Sequence, residues 1–560
     1  MGAEPVTLGR GDRSLEHLPA RDVALLLLAS APLFVGLGAG LHGSEARWLF
    51  VSQEMLRTGN WLEPRILGQF YGDKPLLSYW LIALLASPFG AVTETLARLP
   101  SALAAAGVVW LTAHCAAPLL GRWPAVIAGI AVATAFSLIF WAHSACADLV
   151  SLFFSTAAVA VYLETVQRPR SWHVQAFFAL LALGGHAKGM PAVAVPVAVA
   201  SADVLFARRL RAFAPRWREL ALGVALGTAL YLAPFATSRL DRGDWELLNL
   251  MWGENFVRAF AAFDHTASAF YYVYTLPAML LPWGLWLPGA LISAARRDRS
   301  PGEQFALIAF CATFALFTLS ESRRSYYILP IFPWSAMLIA AWWERLACER
   351  DIRGGATLHE RLLGTWPAAA LGVLLCGVGT VLALGPVLPG DLGATALPGA
   401  LWVGIAAIAA GAWLLRTLAR ANLRAAAVAL AAVGVLGSAV YATSVSAAFD
   451  RHRVERSFAA QVKQRFPGQP IVYYGSIGLD VQWYLGPGEL AGTPEQLAQL
   501  LDGSRSGDLL VVCAKAGARC LDDVSWLRAQ PLIEQWNPAL SRWVPAQHRF
   551  TLLRVERAGG

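Results

Sequence analysis

The chain has 560 residues, 57% of them hydrophobic and 15% charged, with a formal net charge of +8 at pH 7 and a mean hydropathy of +0.50. Soluble globular domains carry about 25% charged residues, so this composition excludes an ordinary soluble enzyme and points to a polytopic α-helical membrane protein. Most of the arginines sit in short loops between apolar runs, a pattern of membrane topology rather than of a nucleic-acid-binding surface, and no nucleic-acid partner is expected.

The polar start, residues 9–22, leads into an apolar run with no small-residue cleavage site, so the first helix is expected to be retained. Runs long enough to cross about 30 Å of hydrocarbon follow at 22–41, 97–116, 123–142, 148–167, 173–186, 190–207, 219–239, 271–294, 303–320, 326–343, 362–386, 397–415 and 425–446, thirteen spans in all. The stretch 76–92 is also apolar but short, and it is interrupted by Pro88, Phe89 and Gly90. With 76–92 left out, Arg10, Arg13 and Arg21 share the cytoplasmic side with Arg122, with Arg168 and Arg170, and with the clusters around Arg209, Arg297, Arg350 and Arg420. Counting it as a span would put nearly all of those clusters outside, against the positive-inside rule. Segment 76–92 is therefore expected as a juxtamembrane or re-entrant helix on the outer side, with the C-terminus outside as well.

Between the first span and that segment lies Gly43–Pro75, which holds Glu45, Arg47, Glu54, Arg57, Glu63, Arg65, Asp73 and Lys74. It is too polar to span a bilayer and too rich in aromatic residues for a plain linker. Short helices along the membrane surface, building a charged site at the mouth of the bundle, are expected here. The other loops assigned to the outer face also carry ionisable or aromatic polar residues: His143 and Asp148; His186 and Lys188; Glu254, Arg258, Asp264 and His265; Arg323, Arg324 and Tyr327. A charge near a bilayer costs about 2.5–3.5 kcal/mol on insertion scales, so their concentration on one face implies a polar cavity there.

After Ser446 the composition changes. Segments 469–475 (QPIVYYG), 508–514 (DLLVVCA) and 550–556 (FTLLRVE) have strand character, and TPEQLAQLL at 493–501 opens with the capping-box spacing Thr-x-x-Gln. The reading is a transmembrane domain over 1–446, with a periplasmic loop at 43–96, followed by a small periplasmic α/β domain over 447–560. Cys513 and Cys520 lie together in its polar part and can pair if that compartment is oxidising.

SEARW at 44–48, EMLRTGNWLEP at 54–64 and YGDKPLLSYWL at 71–81 resemble the first external loop of GT-C glycosyltransferases of the protein-O-mannosyltransferase superfamily. ARLPSAL (97–103), Asp148, HAKGMP (186–191), ENFVRAF with His265, YYVYTLPAMLLPW (271–283) and SRRSYYILPIFPW (322–334) are similar to further landmarks of that superfamily, in order. The set looks most like the bacterial undecaprenyl phosphate-4-amino-4-deoxy-L-arabinose lipid A arabinosyltransferases. The resemblance implies a GT-C fold and transfer of aminoarabinose from its undecaprenyl phosphate carrier to a lipid A phosphate. It places that reaction at the periplasmic face of the inner membrane, giving resistance to polymyxin and other cationic antimicrobial peptides; a monomer is expected. One departure stands out: the acidic residue that usually precedes the Glu is Ser44 here.

Departure of a polyprenyl phosphate develops negative charge on its oxygen, which cations stabilise more in the transition state than in the ground state. Arg47, Lys74, Arg258, Arg323, Arg324 and Tyr327 are therefore expected around the donor phosphate, with Tyr71, Lys188 and Glu254 as further substrate contacts. Glu45 and Asp148 are the acidic candidates for catalysis, through the sugar's ammonium or the oxocarbenium character at its anomeric carbon. A phosphate acceptor is already largely ionised near neutral pH, so the loss of a general base at Ser44 is tolerable. No cofactor is required by the sequence; His265 with Glu45 or Asp148 offers N and O ligands suited to a divalent zinc or manganese ion. Two other readings stay open, a protein O-mannosyltransferase-like enzyme on the same scaffold and a transporter of lipid-linked sugar. The absence of an internal repeat and the one-sided charges weigh against the transporter.

Overall fold

The computed structural model describes residues 18–210, 216–253, 267–353, 357–384, 399–451, 453–504, 508–514, 520–521, 524, 526–536 and 549–557. The expected site residues Glu254, Arg258 and His265 lie outside the described residues.

The protein is a multi-span helical membrane protein with a small C-terminal sheet. Among the described residues, eight helices are long and apolar enough to cross a membrane, and a ninth span arises if the bent pair Arg122–Ala133 and Phe136–Ala142 counts as one. The expected count of thirteen is therefore not reached. Each expected run does carry helix, but four fall short as spans. The first is the eleven-residue helix Ala20–Ser30 with a 3-10 turn behind it. Met190–Phe206 is one of the shorter apolar helices, Ser171–Lys188 is not among the eight, and the run 271–294 breaks into Tyr271–Met279 and Leu287–Ala294 around a 3-10 turn at Trp283–Trp286.

Six helices matter for the site. They are α1 (Glu45–Thr58), α2 (Leu77–Ala86), α3 (Glu94–Leu120), α4 (Asp148–Gln167), α5 (Ser171–Lys188) and α6 (Leu479–Leu485). Helix α1 ends at Gly59, whose φ of 73° is the left-handed cap that stops a helix. Between α1 and α2, strands β1 (Arg65–Ile66) and β2 (Gln69–Phe70) form a two-residue antiparallel hairpin that returns the chain toward α1. Helix α2 and the 3-10 turn behind it, Leu77–Phe89, are apolar but short; thirteen residues rise about 20 Å, against the roughly 30 Å of a hydrocarbon core. Helix α3 starts at Thr93, whose side chain accepts from the Leu96 N–H, the usual relief of an orphan donor at a helix start.

The bundle core is built on tryptophan. Trp283, Trp286, Trp334 and Trp343 are all fully buried. The Trp283 indole donates to Thr134 Oγ1 at 2.9 Å and the Trp286 indole to the Gly364 carbonyl at 2.9 Å, so neither buries an unmet N–H. Helices Trp366–Leu384 and Ala400–Ala419 meet through glycines: a Cβ on Gly404 would stand 2.5 Å from the Gly379 carbonyl oxygen. In lipid, where no hydrophobic force separates helix from solvent, such close backbone approach supplies the association energy.

The C-terminal unit is a five-stranded mixed sheet in the order β4–β3–β5–β7–β6, made of β3 (Ile471–Tyr474), β4 (Glu489–Ala491), β5 (Asp508–Cys513), β6 (Leu527–Trp536) and β7 (Arg549–Arg557). Strand β3 runs parallel to β4 and β5, while β7 pairs antiparallel with β5 and β6. Three strands fall where the sequence placed them; β4 and the polar, proline-containing β6 were not anticipated. Cys513 and Cys520 are joined in a disulfide. Thr493 caps its helix as expected, but the capping box is not closed, because the Gln496 side chain accepts from the Gly492 N–H instead.

Substituting Gly404→Val would drive a branched side chain into the Gly379 carbonyl. Overpacking of this kind costs about 1–3 kcal/mol, so the thermal midpoint of the detergent-solubilised protein should fall. An unchanged midpoint would contradict the close helix contact.

Candidate functional site

The site is assembled around an arginine on α3. Arg98 is 1% exposed. Its Nε and one Nη2 hydrogen clasp the Glu45 carboxylate at 2.8 and 2.6 Å. Its remaining donors reach the carbonyls of Leu37 (2.8 Å), Ala39 (2.6 Å) and Gly40 (2.9 Å). All five N–H donors of the guanidinium are thus used, as a buried arginine requires. Glu45 is equally saturated, since it also accepts from the backbone N–H of His42 (2.9 Å) and of Ala145 (2.6 Å). Burial alone would raise the Glu45 carboxyl, but the hydrogen bonds and charge of Arg98 hold it below the usual carboxylate range.

Glu45 thus stands differently from the expected catalytic or metal-binding acid. Its four acceptor sites are filled by protein donors, which leaves none for a sugar ammonium or a metal ion. It ties the start of α1 to α3 and to the Ala145–Asp148 segment, whose Cys146 carbonyl also accepts from Ser101 of α3 at 3.3 Å.

One helical position past Ala46 is Arg47, the first of a cationic cluster. Arg47 donates to the Tyr71 hydroxyl (3.2 Å) and to Ser44 Oγ (3.0 Å), and lies 3.5 Å from Asp73. The Tyr71 hydroxyl donates to Asp73 at 2.9 Å, and Lys74 Nζ sits 3.2 Å from the same carboxylate oxygen. Burial would raise the Asp73 carboxyl, but Lys74, the Tyr71 hydroxyl and Arg47 together bring it below its ordinary value. Burial pushes the Tyr71 phenol up. Two cations, Arg47 and Lys74, thus approach the same Asp73 oxygen. Arg47 Nε and the hydroxyl of Tyr79 on α2 are buried with no hydrogen-bond partner among the described residues. Tyr79 packs its ring against Trp48 at 4.6 Å, and its hydroxyl is within electrostatic reach of Tyr71, Arg47 and Asp73.

A second cluster lies where α4 begins and α5 ends. Asp148, first residue of α4, pairs with Lys188, last residue of α5. Lys188 Nζ sits 4.5 Å from the Tyr327 ring centre and 5.4 Å from that of Tyr326. Arg324 donates to the Tyr326 hydroxyl at 2.9 Å, and Trp141 packs on Tyr326 at 4.4 Å. Arg323, expected at the phosphate, donates through its two Nη groups to the carbonyls of Ala267 and Thr318, while its Nε is buried with no hydrogen-bond partner among the described residues. The two clusters share a wall: Ser78 of α2 donates to the Ala187 carbonyl at 3.0 Å, and Glu45 holds the segment that leads into Asp148.

The structure therefore brings Arg47, Tyr71 and Lys74 together, and Asp148, Lys188, Arg324 and Tyr327 together. Among the described residues no three of His, Cys, Asp and Glu gather as a metal site; His265 is outside them. Sequence reasoning gave no role to Arg98, Tyr79 or Tyr326. A signal for Arg98 existed, a lone cation at the start of an apolar run.

Comparison with known proteins adds three findings. Residues 73–236 match the family described as dolichyl-phosphate-mannose-protein mannosyltransferase. The chain is homologous to proteins named undecaprenyl phosphate-alpha-4-amino-4-deoxy-L-arabinose arabinosyl transferase. The one from Edwardsiella ictaluri is 31% identical over 324 residues, 54% of this chain and 56% of the relative. One from Pseudomonas fluorescens is 29% identical over 374 residues, 64% of this chain and 60% of the relative. The match thus spans little more than half the length of these relatives. The crystal structure of ArnT from Cupriavidus metallidurans bound to undecaprenyl phosphate superposes with a TM-score of 0.70 at 18% identity, covering 95% of this chain and 97% of that one. The chain has this GT-C fold.

Because the folded Glu45 carboxyl is depressed, its stabilising contribution is fully present above the unfolded value of about 4.5 and is lost as pH falls through the lower folded value. Glu45→Gln strands a buried guanidinium and should cost about 3–5 kcal/mol, and should flatten the acid limb of the midpoint-versus-pH curve. A variant with wild-type midpoint and wild-type acid limb would contradict the buried pair.

Proposed function

We propose that this chain is a membrane glycosyltransferase that moves 4-amino-4-deoxy-L-arabinose from undecaprenyl phosphate to a lipid A phosphate at the periplasmic face of the inner membrane. The observation that carries the reading is the cationic cluster on α1 and the loop before α2. Arg47 and Lys74 both face the Asp73 carboxylate, and two buried donor groups beside them, Arg47 Nε and the Tyr79 hydroxyl, face no protein acceptor among the described residues. An anion with several oxygens is what such a site takes, and an arginine binds phosphate with directed donors where a lysine adds a point charge. The names of the homologues support the donor and the sugar.

In this reading Arg47 and Lys74 hold the donor phosphate and stabilise the charge that grows on its oxygen as the sugar leaves. Fixed cations in a site that excludes water do this without reorganisation. Asp148 faces the sugar's ammonium or the positive charge developing at the anomeric carbon. Its partner Lys188, with Arg324 and Tyr327, meets a second phosphate, that of the acceptor. Arg258 and Glu254 complete the substrate contacts, and His265 is a ligand for a divalent ion if one takes part. Glu45 and Arg323 are scaffold. The sugar leaves the carrier phosphate as the acceptor phosphate oxygen attacks, so the acceptor needs no general base, in keeping with Ser44. Transfer to lipid A lowers the negative charge of the outer surface and confers resistance to polymyxin.

A second reading, transfer of a sugar to a protein hydroxyl, is favoured by the mannosyltransferase match over residues 73–236. The two separate on acceptor. In a host lacking its own aminoarabinose transferase, the wild-type chain should give an aminoarabinose mass shift on lipid A and polymyxin resistance. Lys74→Ala and Arg47→Ala, expressed and inserted equally well, should each reduce the modified fraction about a hundredfold, as removal of a transition-state donor does. A well-inserted wild type that leaves lipid A unmodified and labels protein would establish the second reading instead.

A further inference from the structure

The C-terminal unit contributes no residue to the chemistry above, yet it holds the loop on which that chemistry depends. Residues 36–43, between the first helix and α1, include Gly36, Gly38, Gly40 and Gly43, a backbone with little stiffness of its own. Arg98 fixes this loop by its carbonyls. Its N–H groups go the other way: Gly40 N–H donates to Asp450 Oδ1 at 2.7 Å, and Leu41 N–H to the Tyr484 hydroxyl at 2.9 Å. Arg453 closes the same contact by donating to the carbonyls of Gly40 and Leu41.

Tyr484, on α6 of the C-terminal unit, has a second bond. Its hydroxyl donates to Glu94 Oε1 at 3.0 Å. Glu94 opens α3 and lies one turn before Arg98 on the same face. One phenolic oxygen therefore bridges the loop and the helix that Arg98 already joins. Beside it, Trp483 packs edge-on against Phe50 of α1 at 5.1 Å. A Cβ at Gly40 would come within 2.6 Å of the Asp450 carboxylate, so a side chain there would press on the Asp450 contact.

From these contacts we infer that the C-terminal unit is a positioning element for transfer: Tyr484, together with Asp450 at the end of the last span and Arg453 just after it, sets the course of residues 38–42 and so the placement of the first turn of α1, which carries Arg47. Tyr484 touches neither substrate nor reacting atoms and acts through the loop. The inference rests on the function proposed above, in that the site it positions is the one that binds the donor phosphate.

The test is Tyr484→Phe in the full-length chain, which removes the bridging oxygen and keeps the ring. The expected result is faster amide exchange at Gly40 and Leu41, with the amides of β3, β5 and β7 unchanged. In parallel, kcat should fall about tenfold, the loss that one misplaced hydrogen bond of about 1.4 kcal/mol produces, with KM for the polyprenyl phosphate sugar altered by less than about twofold. Gly40→Ala, which presses on the same contact from the loop side, should reproduce the kcat loss. Unchanged exchange at Leu41, or faster exchange with kcat at the wild-type level, would overturn the positioning role and leave Tyr484 a tether. A wild type that transfers from no polyprenyl phosphate sugar would defeat the functional reading alone. In that case the exchange measurement still decides whether Tyr484 orders the loop.

Discussion

The structure depends on one buried ion pair. Arg98 and Glu45 satisfy each other and five backbone groups between them, so neither charge is left uncompensated in a region of low dielectric. Removing either partner would leave the other buried and unpaired, which is the costly case; the pair itself is worth far less than its Coulomb energy suggests, because both ions had first to lose water. What it supplies is specification. A guanidinium with five fixed directions accepts only one arrangement of the Leu37–Gly40 backbone, and Glu45 in turn fixes where α1 starts relative to α3 and to the segment leading into Asp148.

With that node in place, the remaining polar residues fall into two clusters with different characters. Around Arg47 and Lys74 two buried donors face no acceptor among the described residues, and on the proposed reading they await an anion. Around Asp148 and Lys188 an ion pair is walled by aromatic rings, with Arg324 on the Tyr326 hydroxyl beside it, which suits a sugar flanked by charge. The elements that separate and support them are short: the β1–β2 hairpin, α2 and the ends of α4 and α5. A site on helix ends packed against a tryptophan-filled bundle moves less than one on long loops.

Much of this was legible in the sequence, and the failures have physical causes. Hydropathy located the apolar runs because helix length and hydrocarbon thickness are tied together, but among the described residues only eight or nine of the thirteen form helices long and apolar enough to cross. A window average does not register the break at 280–286 or the bend between Ala133 and Phe136, since prolines and glycines inside an apolar run barely alter its mean. Strands β3, β5 and β7 showed as β-branched runs; β6, with Gln530, Pro531 and Glu534, did not, because a strand paired at one edge need not be apolar. That Arg47, Tyr71 and Lys74 lie together was legible because they crowd one polar loop. Arg98 and Tyr484 were not, because their partners lie far off in sequence, Gly40 at 58 positions from Arg98 and Leu41 at 443 from Tyr484. Glu45 stood out as an acid but its pairing with Arg98 did not, since a carboxylate that binds substrate and one that binds a buried arginine look alike in a sequence.

The central claim is that the Arg47–Lys74 cluster is the donor-phosphate site. An electron cryomicroscopy map of the full-length chain in lipid nanodiscs with undecaprenyl phosphate tests it most directly. The account predicts phosphate density within hydrogen-bonding distance of Arg47 and Lys74, with the Arg98–Glu45 pair intact beneath it. Phosphate density seated elsewhere, for example among Arg296 and Arg345 at the opposite ends of the helices, with the Arg47 cluster closed on itself, would contradict it.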